Sequence, residues 1–569
     1  MILKGDFLGL FIFIKKISMF KFFVFLLFSL ISCFSIEAQI LKDTSSFTEK
    51  DSLRGSLRPE RSNYNVLHYD LEVQVNPSER FISGKNTIRF ETLAKLPKMQ
   101  LDLYENMQID SIIFGNRKLT YERKFNAFFI TFDEALSAKE EHKISIYFSG
   151  NPIVAKQAPW DGGFVFKKDQ NGKPWIGVAV QGDGASLWFP NKDHLSDEPD
   201  EGADIKVSVP NGLMNVSNGR LIAETPQEDD YTEWHWRVTN PINNYNITLN
   251  IGDYVHLEDQ FQDLTLDYYV LPYHLEKAKK QFEQVQPMMQ CFYEKMGEYP
   301  FKEDGFKLVE TPYLGMEHQS AVAYGNQYMN GYMGTDLSGT GYGLTWDFII
   351  IHESAHEWFG NSISVADIAD LWIHEGFTTY AESIFVECTQ SKDAALSYLY
   401  GIRKNIKNER PLIGNYGVNH SGPGDVYYKG ANMLGTLRSI VNDDELWWES
   451  LKYFVSDFKH RVTNTEEVVA YFNEKLDADY SSFFDQYLNY ADIPVLEFRK
   501  NKKRVDARWR AHTKGFEMPI DVGFVGDEQA YRLNLSREWV KTDIKMKELE
   551  NLKIDVFHFY VDFKFLDEE

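Results

Sequence analysis

A chain of 569 residues is too long for one hydrophobic core, so three or four domains are expected. Apolar content of 43% and charged content of 25% are those of an ordinary globular protein. The net charge of −24 argues against nucleic acid as a partner and favours an acidic-surfaced protein in aqueous surroundings.

The first element is a targeting segment, residues 1–38. Lys15, Lys16 and Lys21 precede an apolar stretch from Phe22 to Ile31, and small residues follow, which is the order of a secretory signal. Two outcomes stay open: cleavage after Ala38, or a lipid anchor at Cys33, since Leu30-Ile31-Ser32-Cys33 resembles a bacterial lipobox. Either gives an exported protein, periplasmic or extracellular, with no integral membrane span after processing. Cys291 and Cys388 are too few and too distant for a disulfide scaffold, and the expectation is that they stay unbridged.

Residues 39–60 are polar and read as a linker. From 61 to 255 the chain reads as β structure. In HYDLEVQV, Tyr69, Leu71, Val73 and Val75 share one face, and GKNTIRFETL, HKISIYFSG, ADIKVSVP and YNITLNIGDYV alternate likewise. Helical spacing takes over in 256–492, beginning with EKAKKQFEQVQPMMQCFYEKMG. Thr463 and Glu466 stand in capping-box spacing before the stripe of TEEVVAYFNEKL. Alternation returns in 493–569, predicting a small terminal β domain.

Within the helical region, IHESAHEWFG puts His352 and His356 four residues apart, one above the other on a helix. Their rings can converge on one ion, with Glu353 beside it as a base; two ordinary helical histidines is the competing reading. A catalytic zinc needs a third protein ligand. Glu375 follows 19 positions after His356 in a second helical segment, DLWIHEGFTTYAE, and Glu382, two turns further on, can brace a ligand histidine.

HESAHEWFGN and WIHEGFTTYAE, with 18 residues between His356 and Glu375, together resemble the gluzincin signature of the aminopeptidase-N-like (M1) family of zinc metallopeptidases. The resemblance implies a multidomain α+β architecture: an N-terminal β-saddle, a thermolysin-like zinc catalytic domain and a small C-terminal β-sandwich. It implies one zinc per chain on His352, His356 and Glu375, with Glu353 as general base. Gly315-Met316-Glu317 resembles the family strand whose glutamate grips a substrate amine, and Gln181 falls where a loop residue assists. Tyr427, two residues before Lys429, matches the tyrosine that stabilises the oxyanion. His318 and His374 depart from the family pattern, each standing where Asn is usual; His374 could add a titrating group near the metal, and the effect of both departures stays open. The family's long C-terminal helical domain is expected to be absent, and with it a more open site is expected. The implied activity is removal of the N-terminal residue from peptides with a free amine. The rivals are a thermolysin-type zinc endopeptidase, a dual-function aminopeptidase/epoxide hydrolase, and a binding module on a catalytically dead fold.

Overall fold

A computed structural model describes residues 46–526 and 530–566. The segment expected to be a targeting signal, including Cys33 and Ala38, lies outside the described residues. Among those described, no helix is long and apolar enough to cross a membrane.

The alternating segments form an eight-stranded sheet. Its order is Arg220–Pro226, Tyr231–Val238, Ala203–Pro210, Tyr64–Asn76, Phe81–Thr92, Glu141–Gly150, Met107–Phe114 and Arg117–Leu119. Tyr64–Asn76 pairs parallel with Ala203–Pro210 and antiparallel with Phe81–Thr92. The face carrying Tyr69, Leu71, Val73 and Val75 is buried, as period-two alternation requires when one face meets a core. A four-stranded and a three-stranded sheet complete this β region.

The next sheet, five-stranded, carries the site. Its order is Val255–Phe261, Leu264–Val270, Phe306–Glu310, Val322–Tyr324 and Gly315–Met316. Val309, Met316 and Ala323 face the core of the N-terminal region, while Leu308, Val322 and Tyr324 face the helices. Alternate residues of one short sheet therefore tie the two regions together, and the loop after Met316 lies at their junction. The helices that matter are α1 (Val285–Lys295), α2 (Phe348–Ala355), α3 (Trp372–Thr389) and α4 (Asp425–Val441). Beyond them, sheets of four and three strands cover Val495 to Leu566. Their Leu496, Phe498, Trp509 and Ile520 join the same buried cluster as the helices.

Three local expectations need correction. The linker reading fails from Thr48 onward: Glu49–Gly55 is a helix with a complete Thr48–Asp51 capping box and buries Leu53. Pro59–Ser62 is also helical and buries Arg61 against Asp102. The helix at 465–475 is capped by Asn464, whose side chain accepts from the Glu467 N–H; Thr463 instead donates its hydroxyl to the Glu467 carboxylate. Cys291 and Cys388 are bridged, with Cα atoms 5.9 Å apart. The chain between them, a sequence separation of 97, is folded back so that α1 packs on α3, a proximity that sequence separation conceals.

Candidate active site

Asp347 starts α2: its side chain accepts the Ile349 and Ile350 N–H groups while taking further donors from Tyr324, Asn326 and Gln281. This buried anchor fixes the helix on which His352 and Glu353 ride. His352 Nδ1 bonds Glu382 Oε1 on α3 at 2.6 Å, and Glu382 Oε2 accepts the Tyr398 hydroxyl at 2.6 Å. His356 Nδ1 lies 2.9 Å from the Phe359 carbonyl. With each Nδ1 so engaged, both Nε2 atoms turn to Glu375: 3.8 Å from His352 and 3.3 Å from His356 to Oε2. That Oε2 is buried and has no hydrogen-bond partner.

The three donor atoms lie within 4.8 Å of one another. Two imidazole nitrogens and one carboxylate oxygen are a donor set that would suit zinc. The orphaned oxygen and the anchored far sides of both rings are what a metal site requires, so the residues fit the ion. Glu317, Glu353 and His356 form a second group of the same compactness. It is the poorer metal site, because Glu317 Oε1 already accepts from Gln181 Nε2 at 2.5 Å and from the Tyr245 hydroxyl at 3.2 Å.

Charge is unevenly shared among the carboxyls. Burial disfavours the ionised form of Glu375, but His356 and His352 outweigh it and hold this carboxyl below the usual range. Burial pushes Glu353 up to about 7, only partly offset by His352. Burial also raises Glu317, against the pull of His356. A carboxyl near neutrality beside an anionic ligand is suited to exchanging protons.

Close backbone approaches complete the arrangement. A Cβ on Gly315 would meet Ile349 at 2.8 Å and Glu353 Oε1 at 3.0 Å, so glycine lets this strand lie against the base. Where α3 crosses α4, a Cβ on Gly430 would stand 2.9 Å from the Gly376 Cα. That crossing brings Tyr427 over the site, its ring stacked on His352 with centroids 6.0 Å apart. Burial first, then Glu375, Glu317 and Glu353, raise the phenol pKa well above its ordinary value, so the hydroxyl keeps its proton to donate. Lys429 points away, donating to the carbonyls of Tyr490 and Ala491.

The structure brings together His352, His356, Glu375, Glu382, Glu353, Gly315, Glu317, Gln181 and Tyr427. Met316 is buried with its face to the N-terminal core. Asp183, two residues after Gln181, accepts the Gly162 N–H with its carboxylate. His374 does not supply a titrating group: its Nε2 accepts the Val365 N–H and burial lowers its pKa to about 3, so it stays neutral. His318 is likewise buried and neutral. Sequence reasoning missed Tyr245 and Asn361; the Asn361 side chain donates to the Glu317 carbonyl at 2.8 Å and holds that loop. Asn361 closes the HESAHEWFGN stretch and could have been noticed there, whereas nothing local to INNYN marks Tyr245.

A buried two-histidine, one-carboxylate cluster with a free carboxyl beside it is the donor set of a zinc hydrolase. Comparison with known proteins makes this specific. Residues 65–245 match the Peptidase M1 N-terminal domain and residues 273–487 the Peptidase family M1 domain. The chain belongs to the M1 peptidase family. Probable aminopeptidase 1 of Sulfurisphaera tokodaii is 21% identical over 76% of this chain and 54% of its own length. Aminopeptidase N of Streptomyces lividans is 28% identical over 51% of this chain and 35% of its own. The chain thus spans about half or less of the length of these curated relatives. A mutant M1 zinc metallopeptidase from Deinococcus radiodurans, solved with a Tyr-Ser-Ala substrate, shares the fold. The TM-score is 0.62 at 19% identity, over 77% of this chain and 97% of that one.

Proposed function

We propose that the protein is a zinc aminopeptidase, hydrolysing the N-terminal residue from peptides. The observation that carries this reading is Glu317, a carboxylate only 3% exposed whose side-chain partners are the neutral donors Gln181 and Tyr245. A buried carboxylate without a cation is costly. A substrate ammonium supplies the missing charge, and its grip fixes the cut one residue from the end.

His352, His356 and Glu375 would hold zinc, which when bound would supply Lewis acidity toward a carbonyl and a water. Glu353 accepts the proton of the attacking water and passes it to the leaving amine. Tyr427 donates its hydroxyl to the developing oxyanion. Glu382 and the Phe359 carbonyl keep the two imidazoles turned inward.

The test is a panel of free-amine and N-acetylated fluorogenic peptides, with chelator and with zinc restored. Zinc-dependent cleavage confined to free-amine substrates is expected; cleavage of blocked peptides alone would replace the reading with an endopeptidase. Export is part of the same proposal, supported by the pattern of residues 15–38 and by the Cys291–Cys388 bridge, which suits an oxidising compartment. Fractionation of cells expressing the full chain and its Cys33→Ser variant separates a soluble product from an anchored one.

A further inference from the structure

A cavity of about 640 Å³ reaches the start of the Gly315 strand at Leu314 and contains none of the three candidate metal ligands. One wall is the segment Thr311–Leu314, which leads directly into the Gly315 strand. Trp175, Leu314 and Tyr328 give it an apolar and aromatic lining. Trp160 and Met333 also line it and remain 59% and 41% exposed. Large apolar side chains left bare around a cavity of this size are characteristic of a binding cleft.

Its charge is opposite to that of the protein. Lys277 lines it and makes no ion pair among the described residues, and Lys167 reaches in to donate to the Pro312 carbonyl at 2.7 Å. The one acid in the lining, Glu310, is already engaged by His274 Nδ1 at 2.6 Å and the Leu271 N–H at 2.8 Å. In a chain of net charge −24, these two lysines make the cavity wall locally basic.

Strand geometry says what reaches it. Gly315–Met316 ends its sheet, paired on one side only, with Val322–Tyr324. An extended peptide can add to such an edge. With its amine at Glu317 and antiparallel to this strand, it advances past Gly315 toward Leu314 and Tyr313, about 3.3 Å per residue. The next surface it meets is the cavity wall.

We propose that this cavity is a specificity site for the part of the substrate beyond the scissile bond. It takes an aromatic or large apolar side chain two residues past the cut, with the peptide's terminal carboxylate near Lys277. The direction of the chain rests on the aminopeptidase reading.

The test compares an aminoacyl 4-nitroanilide, which has no residues to place in the cavity, with a tetrapeptide carrying Phe at its third position. Trp160→Ala is expected to lower kcat/KM about tenfold on the tetrapeptide, through KM, and less than about twofold on the anilide. Lys277→Glu should raise KM about fivefold for the tetrapeptide acid and leave its C-terminal amide unchanged. Equal losses on both substrates, or none on either, would overturn the proposal. Calorimetry on Glu353→Gln separates the two readings without turnover. If N-acetylation leaves tetrapeptide binding unchanged while Trp160→Ala still weakens it, the cavity stands and the amine reading falls. If Trp160→Ala leaves binding unchanged, the cavity falls alone.

Discussion

Two compact clusters meet at His356, and they are built differently. In His352, His356 and Glu375, each imidazole has its far nitrogen held, by Glu382 Oε1 and by the Phe359 carbonyl, and the ligand carboxyl is held ionised. In Glu317, Glu353 and His356, the two carboxyls have neutral hydrogen-bond donors or none, and burial raises both against the pull of the histidines. On the proposed function, the group that would hold an ion is oriented from behind and kept charged, and the group that would move a proton or receive a cation is left undercompensated. The same burial serves both ends because the partners differ.

The comparison is broken most severely at the base. Glu353→Gln should lower kcat by roughly 10²–10⁴-fold while leaving zinc content, measured by elemental analysis, at one per chain. Loss of zinc in that variant would place Glu353 among the holding groups. Tyr427→Phe removes one hydrogen bond to the oxyanion and should cost about 10²–10³-fold in kcat with little change in KM. Glu382→Gln attacks the holding cluster from behind: zinc affinity in competition with a chelator should fall by about 10–100-fold, and activity should return at high zinc.

The smallest effect concerns a histidine outside both clusters. His194 is buried, its Nδ1 accepting from Ser196 and its Nε2 facing the Gly55 carbonyl. Burial and then Arg61 lower its pKa to about 3. Because the folded value lies below the unfolded one, its stabilising contribution is complete above about pH 6.5 and is lost as pH falls toward 3. At pH 5 the loss is about 2 kcal/mol, read as a pH-dependent drop in unfolding free energy that His194→Gln flattens.

The metal ligands were legible because a helix converts a spacing of four into one face, and Glu353 because it is fixed beside His352. Glu317, Gln181 and Tyr427 are scattered through the chain and became visible only through family resemblance. Tyr245 and Asn361 act through the junction of two regions, which no local pattern encodes. The capped helix Glu49–Gly55 hid in a polar stretch because its one buried side chain, Leu53, is too little for a stripe. It docks so tightly that a Cβ on Gly55 would stand 2.2 Å from the Val418 backbone. The Cys291–Cys388 bridge depended on helix packing across 97 residues.

The central claim is that Glu317 reads a free N-terminus beside a zinc it does not hold. Its direct test is the ratio of kcat/KM on a free-amine peptide to that on its N-acetylated form, in the parent protein and in Glu317→Gln, with zinc content measured in both. The account predicts a ratio that collapses by about 10²-fold in the variant, through loss on the free-amine substrate alone, at unchanged zinc. An unchanged ratio, or a fall that tracks lost zinc, would contradict it.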